Sequence, residues 1–349
     1  MKQFKIGGRL IGEGAPCAFV AELSGNHNGS LSRALELIRV ASEAGADAIK
    51  LQTYTADTIT IDAPGPWYEI SEGPWRGRRL HELYAEASTP WEWHRELFMA
   101  AKAHNLPCFS TPFDPTAVDF LEQLDCPAYK IASFEVVDIP LLRHVGATRK
   151  PVIMSTGMAS LAEISLAVQV LRESGTSDLC LLTCVSAYPA DAADMHLANI
   201  QALSQSFGCC SGLSDHSLKA TALVAATALG AAVIEKHICL ARSDGGPDAG
   251  FSLEPHELGE QISAMRATES ALAGGVCFGP GQSDAGNVIF RKSLIAVRDI
   301  VAGATVVSED VRSLRPGHGI PPFYLPQVIG RRAACHIARG TPMAWNLLS

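Results

Sequence analysis

The chain has 349 residues, 47% of them hydrophobic and 18% charged, with a formal net charge of −8. That length accommodates one (β/α)8 barrel of roughly 250 residues plus a small domain of roughly 60–70. The acidic balance gives no global electrostatic case for nucleic acid, and the longest apolar run, Ala220–Ile234, contains threonines and a glycine and is too short to span a bilayer.

The opening Met1-Lys2-Gln3-Phe4-Lys5 leads into a Gly-containing stretch, not an apolar signal core. Eight short apolar runs then recur: Ala18–Leu23, Ala48–Thr53, Pro107–Pro112, Ala128–Ser133, Pro151–Thr156, Leu179–Cys184, Gly212–His216 and Ala232–Ile238. Helical patterns follow most of them, at about Leu31–Ala44, Trp91–His104, Pro115–Leu124, Leu161–Ser174, Leu197–Phe207, Leu218–Leu229 and Pro255–Ala273. Only a short segment near Ile139–Val145 separates the fourth and fifth runs. Near-continuous apolar strands alternating with helices predict a parallel sheet, and eight units predict its closure into a barrel. The cysteines lie in apolar runs (Cys17, Cys108, Cys180, Cys184, Cys239) or as the pair Cys209-Cys210, and none forms a CxxC. Reduced, buried thiols in a cytoplasmic protein are the expectation.

Each predicted strand ends in polar residues. In order these are Glu22 with Asn26-His27-Asn28-Gly29, Lys50 with Gln52, Ser110-Thr111, Lys130 with Ser133, Ser155-Thr156-Gly157, Ser186 with Tyr188, Ser214 with His216, and Glu235 with His237. Buried polar groups cost free energy unless paired, so core packing does not predict this pattern. An active site at the C-terminal mouth of a barrel does. The segment Ile59–Ser88, with Pro64, Pro66, Pro74, Trp67, Trp75 and the basic run Arg76–Arg79, is too long for a simple βα loop. It is read as a cover over the mouth, against the alternative of a solvated excursion.

The glycine-rich stretch Gly274–Gly286 has linker composition. The expected organisation is a barrel over residues 1–275, a linker over 276–288 and a small, mainly β domain over 289–349. In that domain Arg315-Pro316-Gly317-His318-Gly319 reads as a fixed loop presenting Arg315.

In Val233-Ile234-Glu235-Lys236-His237, strand alternation puts Glu235 and His237 on one face and Lys236 on the other. Ser214 and His216 share a face in the same way. His216 and His237, at the ends of adjacent strands, are read as ligands of one divalent metal. Two imidazoles with open positions suit Mn²⁺ or Mg²⁺. Zinc would want a third ligand, which Glu235 or Asp215 could supply. Lys50 and Lys130 either form internal ion pairs with Glu22 or Glu235, clamp an anion with the hydroxyls of Thr111, Ser133, Ser155 and Ser214, or serve as Schiff-base amines.

Several motifs resemble, in order, those of the sialic acid synthase family. They are Ala21–Gly29, Lys50-Leu51-Gln52, Ser110–Asp114, Tyr129–Ser133, Ser155–Met158, Gly212–His216 and Ile234–His237, and the final segment is similar to the family's antifreeze-like (SAF) domain. Trp75–Tyr84, Thr89–His94, Ser133–Pro140 and Ser186–Ala190 resemble the pseudaminic acid synthase branch. Ser186 stands where the neuraminate-forming pattern has Asn.

The resemblance implies a transferase condensing phosphoenolpyruvate with 2,4-diacetamido-2,4,6-trideoxy-L-altrose. It implies phosphoenolpyruvate contacts from Lys50, Thr111, Lys130, Ser133, Ser155, Ser186 and Ser214, and sugar contacts from Glu22, Gln52, Tyr188 and Asp248. It also implies metal binding by His216 and His237, water activation by Glu22 or Glu235, and a domain-swapped homodimer in which Arg315 reaches the other subunit's site. The competing expectations are a neuraminate or legionaminate synthase, a Schiff-base aldolase using Lys130 or Lys236, and a non-catalytic carbohydrate-binding protein.

Overall fold

A computed structural model describes residues 3–349. The chain divides into two compact units, Met1–Ala273 and Gly274–Ser349. The first begins with an antiparallel hairpin, β1 (Gln3–Ile6) and β2 (Arg9–Gly12). Eight parallel strands follow: β3 (Ala18–Glu22), β4 (Ala48–Thr53), β5 (Cys108–Pro112), β6 (Tyr129–Ile131), β7 (Val152–Ser155), β8 (Leu179–Cys184), β9 (Cys210–Asp215) and β10 (Val233–His237). They close in sequence order, β10 pairing β3 with Val233 opposite Ala18 and His237 opposite Glu22. The expected (β/α)8 barrel is therefore present.

Neighbouring residues in register point to the same side of a sheet, so the barrel's interior can be read from the pairing. Its deep half is apolar, with Val20, Ala48, Phe109, Ile153, Leu182 and Val233 in one buried cluster. Gly212 belongs to this layer. A Cβ there would lie 1.9 Å from the Val233 carbonyl oxygen and 2.9 Å from a Leu182 methyl, so no larger residue fits. The next inward layer toward the strands' C-terminal ends holds Glu22, Lys50, Lys130, Ser155, Ser214 and Glu235, all buried.

The hairpin was not among the expected elements. Gly7 and Gly8, at φ +54° and +91°, form its two-residue turn. Phe4, Ile6 and Ile11 are buried in the same cluster as the barrel floor. Asp47, just before β4, ties this end together. Its carboxylate accepts from the Phe19 amide at 2.7 Å and pairs at 2.5 Å with both Arg9 of the hairpin and Arg266 of the helix Pro255–Ala273.

The helices follow their local signals. Ser30 caps Leu31–Glu43, Asp114 caps Pro115–Glu122, and Ser160 with Glu163 forms a capping box on Leu161–Ser174. The short segment expected near Ile139–Val145 is a full crossover helix, Ile139–Ala147, capped by Asp138. Gly146 lets it approach the following helix, since a Cβ would sit 2.6 Å from Ser174 Cβ. The long segment after β4 contains a helix of its own, Leu80–Ala87. No helix among the described residues is long and apolar enough to cross a membrane.

The second unit is built on the antiparallel pair β11 (Ser293–Ala296) and β12 (Val311–Leu314), with a core that includes Leu294, Ile300, Val306, Ile337 and Met343. Part of the expected linker is ordered as a 3₁₀ segment, Gln282–Phe290. It supports the loop after β12, because the Gly317 amide donates to the Ile289 carbonyl at 2.8 Å and the Ser293 hydroxyl to the Pro316 carbonyl at 2.6 Å. Arg315 is exposed on that loop. Cys277 and Cys335 are exposed, contrary to the expectation of buried thiols throughout.

Candidate active site at the barrel mouth

Four charges occupy the inner layer. The Lys50 ammonium lies 2.5 Å from Glu22, 3.2 Å from Glu235 and 3.2 Å from the Thr111 hydroxyl. Burial acts to lower its pKa, but Glu22 and then Glu235 outweigh it and hold the group charged. Lys50 thus forms the internal ion pairs with Glu22 and Glu235. Lys130 differs. Its ammonium donates to Ser155 Oγ at 2.7 Å and to the Ile131 carbonyl at 3.0 Å, with no ion-pair partner among the described residues. Burial lowers its pKa, and the more distant Glu235 offsets this only in part. An ammonium held this way is short of an anion.

Two further hydroxyls lie against Gly157, two residues after Ser155. Ser133 Oγ accepts from the Gly157 amide at 3.1 Å, and the buried Ser186 Oγ has no partner. A Cβ on Gly157 would come within 2.6 Å of Ser186 Oγ and 2.8 Å of Ser133 Oγ. Gly157 therefore keeps open a small cradle of donors beside a cation. Ser214 faces inward opposite Cys184 and Glu235 in register.

The second half of the mouth combines a polar chain with an aromatic wall. Gln52 donates to Glu22 at 3.3 Å and to Ser24 Oγ at 3.0 Å, and Ser24 Oγ in turn donates to Asp248 through a very short hydrogen bond. Burial raises the Asp248 carboxyl above its ordinary range. The His216 and His237 ring centroids are 5.3 Å apart. Tyr188 packs 4.4 Å from His216, and Phe251 lies 5.0 Å from His237 and 4.7 Å from Tyr188. Trp75, from the long segment after β4, completes the wall at 5.4 Å from Tyr188 and 6.2 Å from Phe251.

The imidazoles meet the chemical requirements of metal ligands. His216 Nδ1 lies 2.8 Å from the Val185 carbonyl, which can only accept. Nδ1 therefore carries a proton, which leaves Nε2 as the nitrogen that a metal could take. His237 Nδ1 is buried without a partner. Among the described residues no cluster of three or more His, Cys, Asp or Glu side chains forms a full cage. Asp215 cannot be a third ligand, because it leaves the barrel wall on the opposite face and pairs at 2.6 Å with Lys236, which also donates to the Ser217 carbonyl. That pairing withdraws Lys236 from the Schiff-base reading.

Contacts join Glu22, Lys50, Gln52, Thr111, Glu235 and Asp248 in one network, and Tyr188, His216 and His237 in another. Arg315 belongs to the second unit. Of the residues at the end of β3, Asn26 and His27 are structural. Asn26 donates to the Ile238 carbonyl and Ser252, and His27 packs edge-on against Trp93. Sequence reasoning missed Trp75 as a wall residue, Phe251, Ser24 and Cys184. Cys184 looks like a packing thiol, yet it occupies the last inward position of β8. Burial raises its pKa, but His216, Ser133 and Lys130 more than offset this and bring it to about 7. Period-two counting along β8 would have found it; no local signal marks Phe251.

Residues 37–277 match the NeuB family, and residues 291–349 match the SAF domain. A pseudaminic acid synthase of Campylobacter jejuni is 42% identical over 326 residues, covering 92% of this chain and 93% of that protein. An N,N'-diacetyllegionaminic acid synthase of Legionella pneumophila is 34% identical, covering 96% and 95%. Among solved structures, the N-acetylneuraminic acid synthetase of Leptospira borgpetersenii superposes with a TM-score of 0.72 at 30% identity, over 82% of this chain and 95% of that one.

Proposed function

The chain belongs to the NeuB family, and from that premise we propose that it condenses phosphoenolpyruvate with 2,4-diacetamido-2,4,6-trideoxy-L-altrose and water, giving pseudaminic acid and phosphate. The higher identity to the pseudaminic than to the legionaminic synthase favours this sugar. The observation that carries the chemistry is Lys130, a buried ammonium that donates to the Ser155 hydroxyl and the Ile131 carbonyl and has no ion-pair partner among the described residues. An anionic substrate supplies the missing charge.

In this reading Lys130, Ser133, Ser155 and Ser186 hold the phosphate and carboxylate of phosphoenolpyruvate at the closed end of the site, with Lys50, Thr111 and Ser214 beside them. Glu22, Gln52, Tyr188 and Asp248 face the sugar. C3 of the enol phosphate bonds to the aldehyde carbon, and water adds at C2. The tetrahedral carbon then expels phosphate by C–O cleavage, while the lysines and hydroxyls stabilise the charge on the departing group. Glu22 joins the Gln52–Ser24–Asp248 chain on the sugar side, while Glu235 lies close to both Lys50 and Lys130. That difference in surroundings favours Glu22 as the base that takes the water's proton, with Glu235 holding the lysines. His216 and His237 would hold Mn²⁺ or Mg²⁺, which supplies Lewis acidity toward the aldehyde oxygen. Arg315 is proposed to reach the site of a partner chain in a domain-swapped homodimer, and the free thiols support a cytoplasmic location.

The test is phosphate release from phosphoenolpyruvate with Mn²⁺, with and without EDTA, comparing the L-altro sugar with N-acetylmannosamine. Turnover with the altro sugar, lost on chelation, is the expected result. Turnover with N-acetylmannosamine alone overturns the sugar assignment, and chelator-resistant turnover overturns the metal site.

A further inference from the structure

We infer that Trp75 is a specificity-determining residue, closing the sugar site with an apolar surface that receives the methyl group at the far end of a 6-deoxy sugar. The inference deepens the function proposed above and rests on it. The aromatic wall starts at the two imidazoles, continues through Tyr188 and Phe251, and ends at Trp75. The polar chain Glu22–Gln52–Ser24–Asp248 adjoins this wall at Asp248, which stands in sequence between Pro247, the acceptor of the Trp75 indole, and Phe251. A sugar held at this junction presents hydroxyls and amides to the polar chain and needs an apolar contact for its methyl. The six-carbon diacetamido-trideoxy sugar has a methyl at the end remote from its aldehyde, and the aldehyde is the end that meets phosphoenolpyruvate over the lysines. The remote end therefore points outward from the strands, toward Trp75.

Trp75 is held in place for this contact. Its indole N–H donates to the Pro247 carbonyl at 2.7 Å, next to Asp248. It sits in a small lap of chain closed by the Ile70 amide to the Arg78 carbonyl at 2.9 Å and the Gly77 amide to the Ile70 carbonyl at 2.7 Å. With its one polar atom satisfied, the ring is left as an apolar face. A 6-hydroxyl against that face would lose its water without gaining a partner.

The experiment compares wild type, Trp75→Phe and Trp75→Ala on two sugars that differ only at C6, the 6-deoxy and the 6-hydroxy 2,4-diacetamido L-altroses. One methyl contact in an apolar pocket is worth on the order of tenfold or more in kcat/KM. Wild type is expected to favour the deoxy sugar by about that factor, Trp75→Ala to lose most of the preference and Trp75→Phe to keep part of it, with KM for phosphoenolpyruvate unchanged. Quenching of tryptophan fluorescence by the deoxy sugar should disappear in Trp75→Phe. Unchanged discrimination in both variants, or an equal fall on both sugars with a raised KM for phosphoenolpyruvate, would overturn the inference and leave the proposed function standing. No product from either altrose with wild type would overturn the proposed function itself, and this inference with it.

Discussion

Glu135 stands two residues after Ser133 and holds one carboxylate oxygen in a buried position with no hydrogen-bond partner. Burial raises its pKa to about 7, against the opposing pull of Lys130. A carboxyl whose folded pKa is raised stabilises the fold fully below its unfolded value near 4.5 and loses that contribution as pH rises through 7. Glu135→Gln imitates the protonated form at every pH. Its melting temperature should match wild type near pH 4.5 and exceed it at pH 8, and a thermal melt series across that range checks the sign. Gly157 makes the complementary point about space. Gly157→Ala would push a methyl into Ser133 Oγ and Ser186 Oγ, so KM for phosphoenolpyruvate should rise at least about tenfold, as expected for lost polar contacts to a charged ligand. A rise in KM for the sugar alone would show that the cradle serves the other substrate.

The same division between local signals and packing appears in the elements. Barrel strands and most helices are legible because buried parallel strands need apolar runs and helix starts need caps. Asp138, Ser160 and Asp114 each stand where such a cap is required. The hairpin β1–β2 is less legible, since four-residue strands carry little periodicity, although Gly7-Gly8 between Phe4-Lys5-Ile6 and Arg9-Leu10-Ile11 has the form of a two-residue turn. Its attachment to the barrel floor depends on Asp47, a partner remote in sequence from Arg266. Asp47→Ala removes two ion pairs and an amide acceptor from a buried position. The first unit should lose about 2 kcal/mol, the value of a hydrogen bond to a charged group, and no more, because both arginines are partly exposed and can be solvated. A lowered urea midpoint with unchanged kcat would be the signature. A fall in kcat at low temperature would show instead that the barrel floor transmits strain to the mouth.

For the whole molecule, the proposed reach of Arg315 into a partner chain's site can be tested directly. Two inactive variants, Lys130→Ala and Arg315→Ala, can be co-expressed and purified as mixed dimers. If Arg315 acts across subunits, each mixed dimer contains one intact site, and the purified mixed dimers should regain about half of wild-type activity. If Arg315 serves its own chain, none returns. Chelation gives a second whole-protein readout. EDTA should abolish turnover and shift the thermal melt downward, and neither change should occur in His216→Ala with His237→Ala, because a ligand that binds only the folded state stabilises it by mass action.

The order of strands, the polar caps on all of them and the pairing of His216 with His237 followed from the sequence alone. They depend on period-two alternation and on the topology of a closed parallel sheet, both of which are local or combinatorial. Which side of the wall each charge takes is also a matter of counting, and Lys236 fell on the outer face as alternation required. Its partner, however, emerged only in three dimensions. So did the double pairing of Lys50, the lack of an ion partner for Lys130, the entry of Cys184 into the site, and the meeting of Trp75 with Tyr188 and Phe251. These are contacts between segments far apart in the chain, and their energies depend on distance and burial, which residue order does not encode directly.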